Sequence, residues 1–139
     1  HVLVGKPYIE PLELVHETLI TYPVDRNRLD VFTRFLDPAD VEPAELRTAE
    51  LTPMMVQLVA SGRGVACLPN WALTEYLEKQ TIVALKLGPS GIWGTLFAAI
   101  REDQHDSPFM EEFIQTSIET CFNNLSDIKT VDDVGGKSL

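Results

Sequence analysis

Residues 58–69, LVASGRGVACLP, decide the fold, because they carry the chain from a helix through two glycines directly into a strand. Upstream, Thr52 as N-cap and Pro53 at the first helical position predict a helix that runs through Ala60. Gly62 is expected to adopt the left-handed conformation that ends such a helix. Residues 64–68 then form a short apolar strand, which Pro69 ends. The apolar stripe predicted for the helix is Met55, Leu58 and Val59.

Strands and helices alternate along the rest of the chain, which favours an α/β fold with a largely parallel sheet. A helical turn is predicted near 10–16, and a helix over 28–36 that Asp37 and Pro38 end. A last helix is expected to start with Ser107 as N-cap and Pro108 after it. The other predicted elements are strands at 18–22, 45–48, 82–87 and 95–101 and a helix at 71–78. The helix over 28–36 buries Leu29, Phe32, Phe35 and Leu36, and the last helix buries Met110, Phe113, Ile114, Ser117, Ile118 and Cys121.

Charge argues against direct contact with nucleic acid. Acidic residues outnumber basic ones 21 to 11, which gives a formal net charge of −10. Binding to duplex DNA depends on lysines and arginines that neutralise phosphates, so this chain is expected to be repelled. No apolar stretch approaches the roughly 20 residues of a membrane span, and no signal peptide is evident at His1. We therefore expect a cytoplasmic protein and interpret the chain as an excised fragment.

Catalytic and metal-binding patterns are not evident in the sequence. The three histidines, His1, His16 and His105, stand far apart, and none has metal-ligand spacing. Ser61 lies outside any Gly-x-Ser-x-Gly motif. Cys67 and Cys121 favour two free buried thiols in a reducing compartment, although their spacing alone leaves a disulfide open. We therefore expect no enzyme activity, no metal and no cofactor.

The glycines at 62 and 64 resemble a phosphate-binding loop only superficially. Such loops need a strand, then glycines, then a helix, so that helix-terminal N–H groups face the phosphate. In this chain the order is helix, glycines, strand. Termination of the helix explains both glycines.

Two loops between a strand and a helix are candidate ligand-binding edges, because ligands of open parallel sheets bind beyond the carboxyl ends of strands. In the first, residues 22–28, Arg26 and Arg28 could bind a carboxylate; alternatively they are solvated charges that pair with Asp25 or Asp30. In the second, residues 50–53, the helix start and the Thr52 hydroxyl could hold a small anion, or Thr52 simply caps the helix. A weaker candidate follows the third strand at Pro69. The candidate effector-binding residues are Tyr22, Pro23, Val24, Arg26, Arg28, Leu51, Thr52, Pro53 and Pro69.

The same segments resemble the effector-binding domain of LysR-type transcription regulators. Residues 58–69 are similar to that family's signature LVaaGxGiallP, and HVLVGK (1–6), LEL (12–14), TLI (18–20), LFAAIR (96–101) and SPFMEEFI (107–114) match as well. Val2 departs from the pattern, since the family commonly has proline there. YPVDRNRLDVF (22–32) and LPNW (68–71) are most similar to the methionine-biosynthesis regulators, which implies homocysteine as the effector.

The resemblance implies a periplasmic-binding-protein-like two-lobe fold of type II, with one lobe complete and the other partial. Residues 1–122 would be a partial effector-binding domain, in which 8–90 form the second lobe and 95–122 return to the first. Residues 123–139 would be a polar tail. The family's effector lies between the lobes, so this chain would encode at most half of that cleft.

The resemblance also implies partners. Helix 28–36 and strand 45–48 would contribute to a homodimer or homotetramer, and promoter DNA would be bound only by an absent N-terminal winged helix-turn-helix. Two alternatives stay open at the level of sequence: a lobe of a solute-binding protein for a small amino acid or anion, and an enzyme on a similar two-lobe scaffold.

Overall fold

The computed structural model describes residues 1–104 and 107–130. The chain divides into two compact units, His1–Trp93 and the part that begins at Gly94. No helix among the described residues combines the length and apolar character that crossing a bilayer requires. The predicted α/β content is confirmed in the first unit, and the assignment of residues to lobes stays a prediction.

A parallel sheet of three strands forms the centre of the first unit. Its strands are β2 (Thr18–Thr21), β3 (Glu45–Thr48) and β4 (Val65–Ala66), in the order β3-β2-β4. Thr18 pairs with Glu45 and Leu19 with Val65, so β2 is the central strand. A second parallel pair joins β1 (Tyr8–Ile9) to β5 (Lys86–Leu87). The strands predicted at 64–68 and 82–87 are therefore shorter than expected.

The helix after β3 is α1 (Thr52–Ala60), and it ends as predicted. Gly62 has φ +71°, and the N–H groups of Gly62 and Arg63 donate to the carbonyls of Val59 and Leu58, the two bonds of a Schellman motif. The N-cap prediction was wrong by one residue: Leu51 is the N-cap, and Thr52 is already helical.

The buried face of α1 also differs from the prediction. Met55 and Val56 are fully buried, whereas Leu58 and Val59 are only half-buried. Met55 was predicted to be buried, but Val56 takes the place of Leu58 and Val59, a choice that apolar spacing alone could not make because all three side chains are apolar.

Helical structure around residues 26–39 is irregular rather than α-helical as predicted. A 3-10 turn at Arg26–Arg28 is followed by a π-helical segment, Phe32–Leu36, and a 3-10 turn, Asp37–Ala39. Pro38 does not end the helix, because it stands in the first turn of that last segment, where no N–H is needed. The end falls at Asp40, which has φ +52°.

The apolar face predicted for this region is nevertheless confirmed. Phe32, Phe35 and Leu36 are buried, and Leu29 packs partly buried against them. Ile9, Leu14 and Leu19 belong to the same cluster, which therefore joins β1, β2, the 3-10 turn Pro11–Leu14 and the π-helical segment. Burial of these side chains is the main stabilising contribution to the first unit.

After β4 the predicted helix at 71–78 is split in two. A 3-10 turn, Asn70–Leu73, precedes the short α2 (Thr74–Glu78). Of these residues only Leu73 is buried.

In the second unit, the prediction of a strand at 95–101 was wrong. Residues 95–100 have no regular structure, and no strand in the described part of this unit lies beside them to complete a ladder. A 3-10 turn, Glu102–Gln104, comes next, and His105 lies outside the described residues.

The last helix, α3 (Pro108–Asn124), has Ser107 as its N-cap residue, as predicted. Its inward residues are less buried than expected: none is fully buried, and Phe113 and Ile118 are exposed. The helix also extends into the predicted polar tail, of which residues 131–139 lie outside the described residues.

Candidate functional site

Three loops leave the same edge of the central sheet, because β2, β3 and β4 are parallel. Residues 22–28 follow β2, residues 49–51 lead from β3 into α1, and residues 67–69 follow β4. The Ala49 N–H donates to the carbonyl of Thr21 at 3.0 Å, so the first two loops are still in register where they leave the sheet. The structure thus brings all three predicted binding segments to one edge.

A hydrogen bond between two side chains bridges the first two loops. The Tyr22 hydroxyl lies 2.6 Å from the Thr52 Oγ1, and both residues are half-buried. Thr52 does not cap α1 with its side chain. Its hydroxyl is instead held at the sheet edge, next to the start of the helix.

Arg26 does not point into this edge as an available cation. Its Nη1 and Nη2 donate to Glu42 at 2.9 and 2.6 Å, and its Nε and Nη2 donate to Asp37 at 3.0 and 2.5 Å. The hydrogen bonds to Glu42 and Asp37 raise the pKa of the guanidinium further above its ordinary value. The guanidinium carbon also lies 4.0 Å from the centre of the Phe32 ring. We refer to Arg26, Phe32, Asp37 and Glu42 as the Arg26 clamp.

Arg28 is the arginine of this loop that is free to meet a ligand. It is exposed and takes part in none of the ion pairs formed in the described part of the chain. The alternative, in which these arginines pair with Asp25 or Asp30, was wrong in its partners, because Arg26 pairs with Asp37 and Glu42, and Asp30 pairs with Arg34 at 3.2 Å.

The remaining predicted binding residues form an exposed apolar rim. Val24 is 41% and Leu51 63% exposed, and Pro23, Pro53 and Pro69 are exposed as well. Apolar side chains that surround a few polar groups are typical of small-molecule sites. Outside the Arg26 clamp, the predicted binding residues with polar side chains are Tyr22, Arg28 and Thr52.

The acidic partners of Arg26 in the Arg26 clamp were not predicted from the sequence. Asp37 and Glu42 are 11 and 16 positions from Arg26. The sequence does show these two acidic residues just beyond the predicted helix. Their contact with Arg26, however, depends on the π-helical segment Phe32–Leu36, which lies between Arg26 and Asp37. Among the described residues no cluster of histidine, cysteine, aspartate or glutamate could hold a metal ion.

Comparison with known proteins assigns these features to one family. A family model described as the LysR substrate binding domain matches residues 1–121. The HTH-type transcriptional regulator MetR of Escherichia coli K12 is 38% identical over 132 residues, which are 95% of this chain and 41% of that protein. The MetR of Haemophilus influenzae is 38% identical over 131 residues, 94% of this chain and 42% of that protein.

Solved structures of a LysR family regulator also match this chain. The regulatory domain of MetR, a LysR family regulator from N. meningitidis, matches with a TM-score of 0.77 and 38% identity over 91% of this chain and 58% of that one. A variant of that domain matches with a TM-score of 0.78 and 37% identity, over 93% of this chain and 61% of that one. The chain thus spans about two-fifths of the curated relatives.

Proposed function

The chain belongs to the LysR substrate-binding domain family, and from this membership we propose that it is the effector-sensing part of a MetR-like regulator of methionine biosynthesis genes, with homocysteine as co-regulator. The structural match to a MetR regulatory domain, with a TM-score of 0.77, supports a type II periplasmic-binding-like fold. The relatives are transcriptional regulators, which supports neither of the two alternatives, a solute-binding lobe and an enzyme.

The observation that carries the proposal is the hydrogen bond between Tyr22 and Thr52, 2.6 Å long, at the carboxyl edge of the sheet. Strand ends that face one edge create the crevice in which α/β proteins bind small ligands. Two loops joined by a hydrogen bond at that edge hold their polar groups at a defined separation, which lowers the conformational cost of binding.

The chemistry of this edge fits an amino-acid carboxylate. Arg28 supplies a guanidinium that forms no ion pair within the described residues, and Thr52 supplies a hydroxyl beside the first backbone N–H groups of α1. Charge-assisted hydrogen bonds to a carboxylate contribute about 1.5–3 kcal/mol each. Arg26 has a different role, because its donors are already bonded to Asp37 and Glu42.

The proposal includes the partners that the family uses. Effector binding would bias an equilibrium between dimer or tetramer arrangements and so alter how separate helix-turn-helix domains meet promoter DNA. β3 is exposed along all four residues and is free along one edge within the described residues, which suits it for such a contact. We place the protein in the cytoplasm.

Isothermal calorimetry on the full-length protein tests the effector assignment. Wild-type protein titrated with homocysteine should give saturable heat, and Arg28→Ala should weaken binding by roughly ten-fold or more. Arg63→Ala is the matched control, because Arg63 is equally exposed but precedes β4 and so lies at the opposite edge. No saturable heat with folded wild-type protein would reject homocysteine as the effector.

A further inference from the structure

We propose that Tyr22 is a positioning residue that determines which ligand chemistry the site accepts. Its hydroxyl donates to the Thr52 Oγ1, so that the proton of Thr52 is left for an acceptor oxygen of the ligand. This inference rests on the proposed function, since it concerns the same site. It predicts selection of a free carboxylate over groups that accept hydrogen bonds less strongly.

The two hydroxyls carry more protons than their mutual hydrogen bond uses. Tyr22 and Thr52 each carry one O–H, and their mutual hydrogen bond, 2.6 Å between oxygens, uses one of the two. In the described part of the chain this is the one side-chain hydrogen bond that either hydroxyl makes, so one O–H of the pair remains to be donated. The pair therefore has one O–H to donate to whatever enters the sheet edge.

The relative acidity of the two hydroxyls determines which one donates within the pair and which one keeps its proton for the ligand. A phenol is a stronger acid than an aliphatic alcohol and is the better donor in a mixed pair. Donation by Tyr22 polarises the Thr52 hydroxyl and makes it a stronger donor in turn, as in other chains of hydrogen bonds. The favoured direction runs from Tyr22 to Thr52 and on to the ligand.

The first turn of α1 offers few backbone donors to a ligand, so the Thr52 hydroxyl adds to a small set. The first intrahelical bond is donated by Met55 to the carbonyl of Leu51, at 3.1 Å. Of the three preceding helical residues, Pro53 has no N–H, so only the amides of Thr52 and Met54 remain. The hydroxyl of Thr52 supplies a third donor where proline has removed one.

A double-mutant cycle tests the inference. Full-length wild type, Tyr22→Phe, Thr52→Val and the double variant are titrated with homocysteine by calorimetry, and a second series uses its carboxamide. Tyr22→Phe should weaken homocysteine binding by about five-fold, the loss of one cooperative hydrogen bond. In the Thr52→Val background the same change should have less than a two-fold effect, and Thr52→Ser should retain near-native affinity. Preference for the acid over the carboxamide should shrink in Tyr22→Phe.

Two controls separate positioning from general damage. Tyr8→Phe removes the hydroxyl of a half-buried tyrosine in β1, at the other sheet, and should leave affinity unchanged. Thermal unfolding of every variant identifies a loss of fold; if Tyr22→Phe does not fold, the comparison of Thr52→Ser with Thr52→Val still tests the hydroxyl.

The outcomes distinguish the two proposals. If wild-type protein binds homocysteine and Tyr22→Phe binds equally well, or if the effects of Tyr22→Phe and Thr52→Val add independently, the positioning role is overturned while the effector assignment stands. If Thr52→Ser binds no better than Thr52→Val, the hydroxyl has no role and the inference also fails. If wild-type protein gives no heat, the effector assignment fails first and the inference with it.

Discussion

The guanidinium of Arg26 lies over the ring of Phe32, with 4.0 Å between its central carbon and the ring centre. Asp37 and Glu42 hold the guanidinium in this position from the side. Arginine suits such a clamp because its planar group stacks on an aromatic face and still donates in its own plane. The loop after β2 is thereby tied to the helical segment that follows it, and Arg28 stays outside the ion pairs formed by the described residues.

Replacing Arg26 with lysine should destabilise the protein by about 1 kcal/mol, since lysine can neither bond both carboxylates in a plane nor stack on Phe32. The side chain of Arg26 is 39% exposed, so solvent screening keeps the effect small. Urea unfolding measures it, with Arg28→Lys as the matched control that should change stability by less than about 0.5 kcal/mol, as is typical of surface sites. Equal effects of the two variants would contradict the clamp.

Gly64→Ala should be far more costly than Gly62→Ala. A Cβ at Gly64 would lie 2.4 Å from the Thr18 carbonyl oxygen, which is backbone and cannot move aside, and its φ is +148°. At Gly62 nothing lies within 4 Å, so only the left-handed conformation is penalised, by about 1 kcal/mol. We expect Gly64→Ala to lower stability by more than about 2 kcal/mol. Equal melting temperatures for the two variants would show that β2 and β4 do not approach this closely.

Met55→Ala should lower the free energy of unfolding by about 2–5 kcal/mol, because it leaves a cavity in the core. Met55 is completely buried, whereas its neighbour Met54 is 58% exposed. Met54→Ala is therefore the matched control, with an expected change under about 0.5 kcal/mol. Denaturant titration of both variants checks which face of α1 packs inward; a larger loss for Met54→Ala would contradict the burial of Met55.

Cys67 should react slowly with thiol reagents in the folded protein. Burial raises the pKa of its thiol from 9.0 to about 12, so the reactive thiolate is scarce at neutral pH. Ellman's reagent at mildly alkaline pH should modify Cys121 first and Cys67 only after unfolding, and Cys67→Ser should remove the slow phase. Fast modification of both thiols in folded protein would contradict the raised pKa of the half-buried Cys67.

The raised pKa of Cys67 also determines how the stability of the protein changes with pH. An unfolded thiol ionises near 9.0, whereas the folded thiol remains protonated to about 12, so this group lowers stability as pH rises between those values and has no effect below them. Comparison of wild-type protein with Cys67→Ser across that range should show a steeper alkaline loss in the wild type.

Local patterns predicted much of the first unit. Gly62 ends α1 where expected, because a left-handed glycine after an apolar run has few other uses. The strand at 45–48 and the loops at the carboxyl edge also followed from short-range signals. These features depend on residues within a few positions of one another.

What could not be predicted depends on distant contacts. The clamp joins Arg26 to Glu42 across 16 positions, through a π-helical segment that no spacing rule indicates. The strand expected at 95–101 has the right composition, but a strand exists only beside another, and composition does not identify a neighbour. The pairing of Tyr22 with Thr52 spans 30 positions and likewise follows from the sheet register, not from either loop alone.

The pairing of β1 with β5 has a consequence for the order in which the chain can assemble. Thr18 of β2 pairs with Glu45 of β3, 27 positions later in the chain. Tyr8 of β1 pairs with Lys86 of β5, which is much farther along the chain. Parallel pairing over long loops is slow, and on a ribosome the partner must first be synthesised. In the first unit the earliest strand to be made is therefore the last to be paired, and until then Ile9, a member of the core cluster, has no strand to hold it there.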